Sequence, residues 1–441
     1  MRYLYNILFF IGLAISSPYY YMRMRRRGNW RDGFGQRFSK YDARFKQSIT
    51  NRHTLWMHAV SVGEVNICTQ LIHALERRVP NLKIIVSTTT STGMGELQKK
   101  LPVHISRIYY PLDLRSYVSR ALSTVKPQAI VLVEAEIWPN FLWQAMKMGI
   151  PTFLVNARLS EKSFRGYRRW GFIFRPLFRA FAGVGVQTPE DAERLRILGA
   201  RPEAIHTVGS LKYDAAKLDD RRVVDVQRIY RQMALPEGAL ILLGGSTHAG
   251  EEAILARVFM SLRQRFPKLF LVLVPRHFER SAEVGRELGS AGVRFVFRNK
   301  LGQDTWFRKG EVDCLIVNTT GELKFFYEHS TVVFVGKSLS AQGGQNPIEP
   351  AALGRAIVYG PNMTNFADIA ATFELAKGAI RVKDAADLER AVAELLGNEK
   401  LREEMGANAL AVVRQNLGGI EKTVEMIVQQ LDHDELFVRS V

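Results

Sequence analysis

The chain reads as an α/β protein: two doubly wound domains in tandem behind an N-terminal apolar helix. Three observations lead there. From about residue 50, short apolar runs alternate with amphipathic stretches of helical period. The alternation breaks at one charged stretch and then restarts. The first twenty or so residues form one apolar run that ends in arginines. With 441 residues, 47% of them apolar and 24% charged, the chain can bury two or three ordinary cores.

Taken in order, "YLYNILFFIGLAISSPYYY" (3–21) comes close to the ~20 residues that cross a bilayer. Arg23, Arg25, Arg26 and Arg27 follow it. A cleaved leader carries its charge before the apolar core, not after it. By the positive-inside rule the arginines hold the body on the cytoplasmic side. Residues 1–27 are therefore expected to be a signal anchor that spans the bilayer or an amphipathic helix in its interface, ahead of a plain buried helix. Beyond it, "TLWMHAV" (54–60), "KIIVSTT" (83–89), "AIVLVE" (129–134), "PTFLVNA" (151–157) and "GVGVQT" (183–188) read as buried strands. Strands alternating with helices imply right-handed crossovers and a parallel sheet covered on both faces. The first domain is expected over 28–211, and "KYDAAKLDDRRVVD" (212–225) reads as a linker. The pattern restarts with "ALILLG" (239–244), "LFLVLV" (269–274), "VRFVF" (293–297), "DCLIV" (313–317), "TVVFV" (331–335) and "AIVY" (356–359). The second domain is expected over 226–410, with a C-terminal helix and tail over 411–441. Two such domains are expected to face a cleft formed by the carboxyl ends of their strands.

Cys68 and Cys314 are the two cysteines, both in apolar contexts, so a reducing compartment fits better than a disulfide framework. The 61 basic and 43 acidic residues leave a net charge of +18, which points to nucleic acid, an anionic membrane or an acidic substrate. Residues 1–50 hold ten Lys/Arg against two Asp/Glu, and "RLSEKSFRGYRRWGFIFRPLFR" (158–179) holds seven against one. Interleaved arginine and aromatic residues suit a headgroup interface or an RNA surface. The N-terminal apolar run favours an anionic membrane surface over nucleic acid as partner, and protein partners are left open.

The stretches with chemical potential share one position, after an apolar strand and at a helix opening. In "SVGE", Glu64 is either a first-turn glutamate stabilised by the helix dipole or a general base. In "EAEIWPN", Glu134 and Glu136 are two carboxylates at a strand end, a solvated edge or a site. Lys212 in "GSLKYD" is a linker lysine or a counter-charge for a leaving phosphate. "PRH" presents Pro275 and Arg276, and a guanidinium there can grip a phosphate. "TTGEL" places Thr320, Gly321 and Glu322 at another glycine-to-helix opening. "GGQNPIEP" offers Asn346 as N-cap, Pro347 at N1, Ile348, and Glu349 at N3. Capping accounts for those residues; the two preceding glycines fit a phosphate resting on exposed amides.

Other classes are disfavoured. "GGSTHAGEE" has glycines like a P-loop but Glu251 stands where the lysine belongs. "GVGVQT" lacks the third glycine of a dinucleotide fingerprint, no His/Cys set has zinc spacing, and no G-x-S-x-G elbow occurs. A D-x-D pattern occurs only as Asp432–His433–Asp434 in the tail. No metal and no cofactor are expected.

The ordered set "SVGE", "EAEIWPN", "NARLS", "GSLKYD", "GSTHAGEE", "PRH.ER", "GEL" and "GGQNPIEP" resembles the 3-deoxy-D-manno-octulosonic acid (Kdo) transferases of lipopolysaccharide synthesis, from the N-terminus to about residue 430. The resemblance implies a GT-B fold, with the donor CMP-Kdo in the second domain and a lipid A precursor (lipid IVA) at the first. It implies metal-free transfer of Kdo with inversion at the anomeric centre, on the cytoplasmic face of the inner membrane. By motif, Glu64 matches the proton acceptor, and Glu134 and Lys212 match transition-state stabilisers. Pro275 and Arg276, Thr320 to Glu322, and Asn346 to Glu349 match the CMP-contacting segments. Lys337 stands where a second glycine is frequent, Gln345 where histidine is, and Thr320 where some members carry methionine. Two readings compete: another two-domain nucleotide-sugar enzyme, such as a UDP-sugar transferase or epimerase, and an RNA-binding protein that uses the basic surface.

Overall fold

The structure, a computed structural model, describes residues 2–26, 31–50, 53–134, 136–214 and 224–433. The expected linker therefore lies largely outside the described residues, as do Arg27 and Asp434. The chain divides into two compact units, Met1–Ala215 with Leu417–Val441, and Ala216–Asn416.

The first unit holds a parallel sheet of seven strands: β1 (Thr54–His58), β2 (Lys83–Thr88), β3 (Ser106–Tyr109), β4 (Ala129–Val133), β5 (Thr152–Ala157), β6 (Gly183–Val186) and β7 (Ile205–Thr207). Their order across the sheet is β3-β2-β1-β4-β5-β6-β7. Both faces are covered, so β1, β4 and β5 are buried at every position and read as continuous apolar runs. Trp56, Ile130 and Leu154 enter one layer of core with Phe141 and Phe178. Leu55, Met57, Val131 and Phe153 enter the other, with Cys68, Leu71 and Leu75 from helix Val62–Arg78. Helix Gly419–His433 completes that layer through Ile420, Val424, Ile427 and Leu431. Asp214 fixes where it starts: its carboxylate accepts from Gly418 N (2.8 Å) and Ile420 N (2.7 Å). The aspartate of "GSLKYD" is thus a helix cap supplied from two hundred residues upstream.

The second unit repeats the plan with β8 (Leu240–Thr247), β9 (Leu269–Pro275), β10 (Phe295–Phe297), β11 (Cys314–Ile316), β12 (Val332–Val335), β13 (Ala356–Tyr359) and β14 (Ile380–Arg381), all parallel, in the order β10-β11-β9-β8-β12-β13-β14. Leu242, Leu271, Leu273, Phe334 and Val358 pack with Leu255 and Phe259 of helix Glu251–Leu262. Cys68 and Cys314 are free and buried, and burial pushes both thiols up.

The expectation of a membrane anchor, and the inner-membrane placement built on it, is corrected here. Residues Arg2–Arg26 do form a helix, but no helix of the described residues is long and apolar enough to cross a membrane. Asn6, Ser16, Ser17 and Pro18 interrupt the apolar run, and the first turns of the helix pack on the first unit. Tyr5 donates to Asp113 (2.8 Å), Asn140 donates to Asn6 (2.9 Å), and the Tyr5 and Phe9 rings meet Trp143 and Trp138 edge-on. The basic-aromatic cluster at 158–179 is likewise partly core. Its aromatic residues recur at helical spacing, so Phe164 and Phe178 are buried while Trp170 and Phe172 stay exposed.

Asp113 is the keystone of that docking, accepting also from Asn140 N (3.0 Å) and Phe141 N (2.9 Å) at the start of helix Pro139–Lys147. Burial lifts its carboxyl to about 6, offset in part by the Tyr5 hydroxyl and the two amides. A carboxyl raised in the folded state contributes stability that is full below its unfolded value and lost as pH rises through about 6. The loss amounts to roughly 2–3 kcal/mol. We therefore predict that urea midpoints of the wild type decline between pH 4 and 6.5 more steeply than those of Asp113→Asn. Parallel pH profiles would contradict it.

Candidate active site

In the first unit, β1 and β4 are the central neighbours from which the chain winds outward both ways. Ligands in such sheets sit outside the carboxyl ends at this switch point, and the loops that leave it carry Glu64 and Glu134. Ser61 is the N-cap of helix Val62–Arg78, accepting from Glu64 N, and Glu64 reaches back in a capping box. Its Oε1 accepts from Ser61 N (3.2 Å) and its Oε2 from Val60 N (2.8 Å). Glu64 is therefore a cap, and a buried one at 6% exposure. A carboxylate has about four lone-pair sites, so each oxygen retains capacity beyond its amide.

Around Glu64 lies a cluster of charge. Glu134 sits at the end of β4 with φ 61, in the left-handed region that costs a side-chain-bearing residue about 1–2 kcal/mol. Burial pushes its carboxyl up and the Glu64 charge adds to that, while Lys212, Arg158 and a hydrogen bond from Asn156 (3.5 Å) pull it back. Glu136 is also raised by burial, with the charges of Glu64 and Glu134 adding and the indole of Trp138, donating at 2.9 Å, opposing. Three carboxylates and two cations thus share one locus. Beneath them His58 is wholly buried. Its Nδ1 meets the Ser87 carbonyl (3.0 Å) and hydroxyl (2.9 Å), and its Nε2 lies 4.0 Å from Glu136. Burial drops the imidazole to about 3, so that contact is between a neutral ring and a carboxyl, not an ion pair.

Asn156 ties the cluster together and was legible only as part of "NARLS". Its φ of 53 coincides with a register shift between β5 and β6, a bulge that re-aims a side chain. Besides Glu134, its side chain accepts from Leu211 N (3.1 Å), next to Lys212.

In the second unit the switch point lies between β8 and β12. A second bulge puts Ser246 at φ 52, and Lys337, just past β12, has φ 56. Glu134, Ser246 and Lys337 thus have left-handed φ at the ends of strands that border the two switch points, and strain of this kind collects at functional sites. Glu251 explains why no P-loop lysine is needed. Its carboxylate is wholly buried and accepts from the backbone N–H of His248, Lys337, Ser338 and Leu339 at 2.8–3.0 Å. The protein's own anion fills the nest of amides and fixes the loop after β12.

That loop carries "GGQNPIEP". The helix starts one residue later than expected and is short, Ile348–Ala352, although Asn346 does accept from Ile348 N (3.0 Å). The two glycines have a structural reason. Gly343 (φ 124) and Gly344 (φ 70) both need positive φ, and a Cβ on either would lie 2.7 Å from Asn365 or 2.5 Å from Met363. Asn346 donates to Glu349 (3.1 Å); burial raises the Glu349 carboxyl, while Asn346, Arg276 and Lys324 lower it. Pro275, Arg276, Asn346 and Glu349 are thereby brought into one neighbourhood, with Pro347 and Ile348 buried behind them. Thr320 and Gly321 form an exposed turn, and Glu322 does not stand free: it accepts from Arg298 at 2.9 Å.

Comparison with known proteins bears on the family of the chain. The family described as 3-deoxy-D-manno-octulosonic-acid transferase (kdotransferase) matches residues 32–215. A 3-deoxy-D-manno-octulosonic acid transferase of Haemophilus influenzae is 30% identical over 97% of this chain and 96% of its own. One from Bordetella pertussis is 31% identical over 94% of this chain and 96% of its own. Among solved structures, the UDP-GlcNAc 2-epimerase of Neisseria meningitidis bound to UDP-GlcNAc superposes with a TM-score of 0.56 at 14% identity, covering 86% of this chain and 99% of that one. That last likeness bears on fold alone and supports the two-domain GT-B-like α/β architecture. With near full-length identity of this order to named transferases, the chain belongs to the 3-deoxy-D-manno-octulosonic acid transferase family and is a glycosyltransferase.

Proposed function

We propose that this enzyme moves Kdo from CMP-Kdo to a hydroxyl of the lipid A precursor, inverting the anomeric centre, with Glu64 as proton acceptor. The observation that carries the reading is the acidic locus at the first switch point, Glu64 with Glu134 beside Lys212. An acceptor hydroxyl is a weak nucleophile, and a positioned carboxylate removes its proton as the new C–O bond forms. The old C–O bond breaks with its electrons going to the CMP phosphate. Direct displacement on the face opposite that phosphate gives inversion. Glu134 and Lys212 are assigned to transition-state stabilisation: the carboxylate answers positive charge on the sugar, and the ammonium answers negative charge on the phosphate.

For the donor, Pro275 and Arg276, Thr320 to Glu322 and Asn346 to Glu349 are assigned to CMP. Exposed Arg276 supplies a fork for phosphate, and Glu349 supplies acceptors for ribose hydroxyls. A lipid A precursor bears two phosphates, and the helices Glu161–Arg169 and Gly171–Arg179 expose Lys162, Arg168, Arg169, Arg175 and Arg179 beside Trp170. Calorimetric titration with CMP and with UDP tests the donor assignment. CMP is expected to bind and UDP to bind more weakly by at least tenfold; a UDP preference would contradict the reading.

A further inference from the structure

We propose that Lys337 is a donor-contacting residue whose ammonium pairs with an anionic group of the bound nucleotide sugar, either its phosphate or its carboxylate. The inference rests on the assignment of CMP-Kdo to the second unit and adds a residue that this assignment does not contain.

Both backbone groups of Lys337 are used up in shaping the loop. Its N–H donates to Glu251 (2.8 Å) and its carbonyl accepts from Gly344 N (2.8 Å). The next rung, Gln345 N to Gly336 O (3.1 Å), closes the loop 336–345 at its neck. This geometry forces position 337 to φ 56, where glycine is at ease and lysine is not. A lysine here carries a backbone cost, as do Lys126 and Lys377 elsewhere in the chain, so the case for a role rests on where its side chain lies.

That side chain is half-buried, and among the described residues it makes no ion pair. Its ammonium lies over Gly343, 3.4 Å from where a Cβ would be. The charges around it are of both signs, Arg280 against the carboxylates of Glu251 and Glu252, and both carboxylates are already engaged. His248 stands 3.3 Å from Gln345 and 5.8 Å, ring to ring, from His277. Burial, Lys337, His277 and Arg280 hold the His248 ring below its ordinary value, with the Glu252 charge opposing them. Glu251 is spent on four amides, and Glu252 is paired with Arg280 (2.9 Å). A cation is thus held at the switch point of the sheet, on a strained backbone, with no ion-pair partner among the described residues. An anionic ligand completes that arrangement.

Lys337→Gly separates this role from a structural one, because glycine relieves the backbone while removing the charge. Wild type, Lys337→Gly and Lys337→Arg are titrated calorimetrically with cytidine, CMP and CMP-Kdo, and their thermal midpoints are recorded without ligand. Lys337→Gly is expected to unfold at the same or higher temperature, yet to lose tenfold or more in affinity, with Lys337→Arg close to wild type and cytidine binding unchanged. Loss for CMP assigns the contact to the phosphate; loss for CMP-Kdo alone assigns it to the carboxylate. Equal affinities of wild type and Lys337→Gly for both would overturn the inference and leave the donor assignment standing. A wild type that binds neither nucleotide would overturn both, and a loss that Lys337→Arg fails to restore would overturn the contact itself.

Discussion

Glu64→Gln is expected to lower the rate of Kdo transfer by roughly 10²–10⁴-fold while CMP affinity stays at its wild-type value and the unfolding midpoint falls less than in Glu64→Ala. Glutamine is the informative replacement because of how Glu64 is held. Its two oxygens accept from Val60 N and Ser61 N in a capping box, and glutamine serves at the N3 position of that motif. Glutamine keeps one of the two acceptors and turns the other into a donor facing an N–H, so part of the cap survives while the group able to take a proton disappears. Glu64→Ala removes base and cap together and is expected to cost about 1 kcal/mol of stability besides, which blurs its reading. The kinetic signature is a fall in kcat with KM for the donor unchanged, since the lost interaction forms only as the hydroxyl attacks. Glu64→Gln turning over near the wild-type rate would return Glu64 to its capping role alone.

The largest effect on stability is expected at Glu251, a residue with no part in the chemistry. Its carboxylate satisfies four backbone amides, those of His248, Lys337, Ser338 and Leu339. Each buried N–H left without an acceptor costs about 1–3 kcal/mol. Water entering the space recovers part of that, so Glu251→Ala is expected to destabilise the second unit by roughly 4 kcal/mol. The loop 336–345 loses its anchor at the same time, so CMP binding should weaken along with stability. Glu251→Gln turns one acceptor into a donor facing other donors and should fall between the two. Guanidinium denaturation followed by circular dichroism measures this. A Glu251→Ala midpoint equal to wild type would mean that the loop does not depend on the carboxylate.

Both sheets were legible because their central strands are buried on both faces and so carry unbroken apolar runs, as at 129–133 and 269–274. The short edge strands β3, β7 and β14 were not, since Ser106, Arg107, His206, Thr207 and Arg381 are partly or wholly exposed and break the pattern. The apolar N-terminal run misled for the opposite reason. Its composition resembles a membrane span, while the contacts of Tyr5, Asn6 and Phe9 with Asp113, Asn140 and Trp138 belong to a docked helix. In the candidate sites, the position of Glu64 and Glu134 at strand ends followed from the apolar runs before them. The bulges at Asn156 and Ser246 did not, because a one-residue register shift leaves no trace in a hydrophobic pattern. Nor did the role of Glu251, which depends on amides some 86 residues away in sequence. The paired glycines at 343–344 pointed to a ligand, and the structure assigns them equally to positive φ and to the press of Asn365 and Met363.

The most direct measurement is mass spectrometry of the lipid A precursor after incubation with the purified enzyme and CMP-Kdo, run in parallel with Glu64→Gln. The account predicts that the wild-type reaction adds whole Kdo residues to the lipid with stoichiometric release of CMP, and that the variant leaves the lipid unmodified on the same timescale. An unchanged lipid mass with the wild type, or equal product from both proteins, would contradict it.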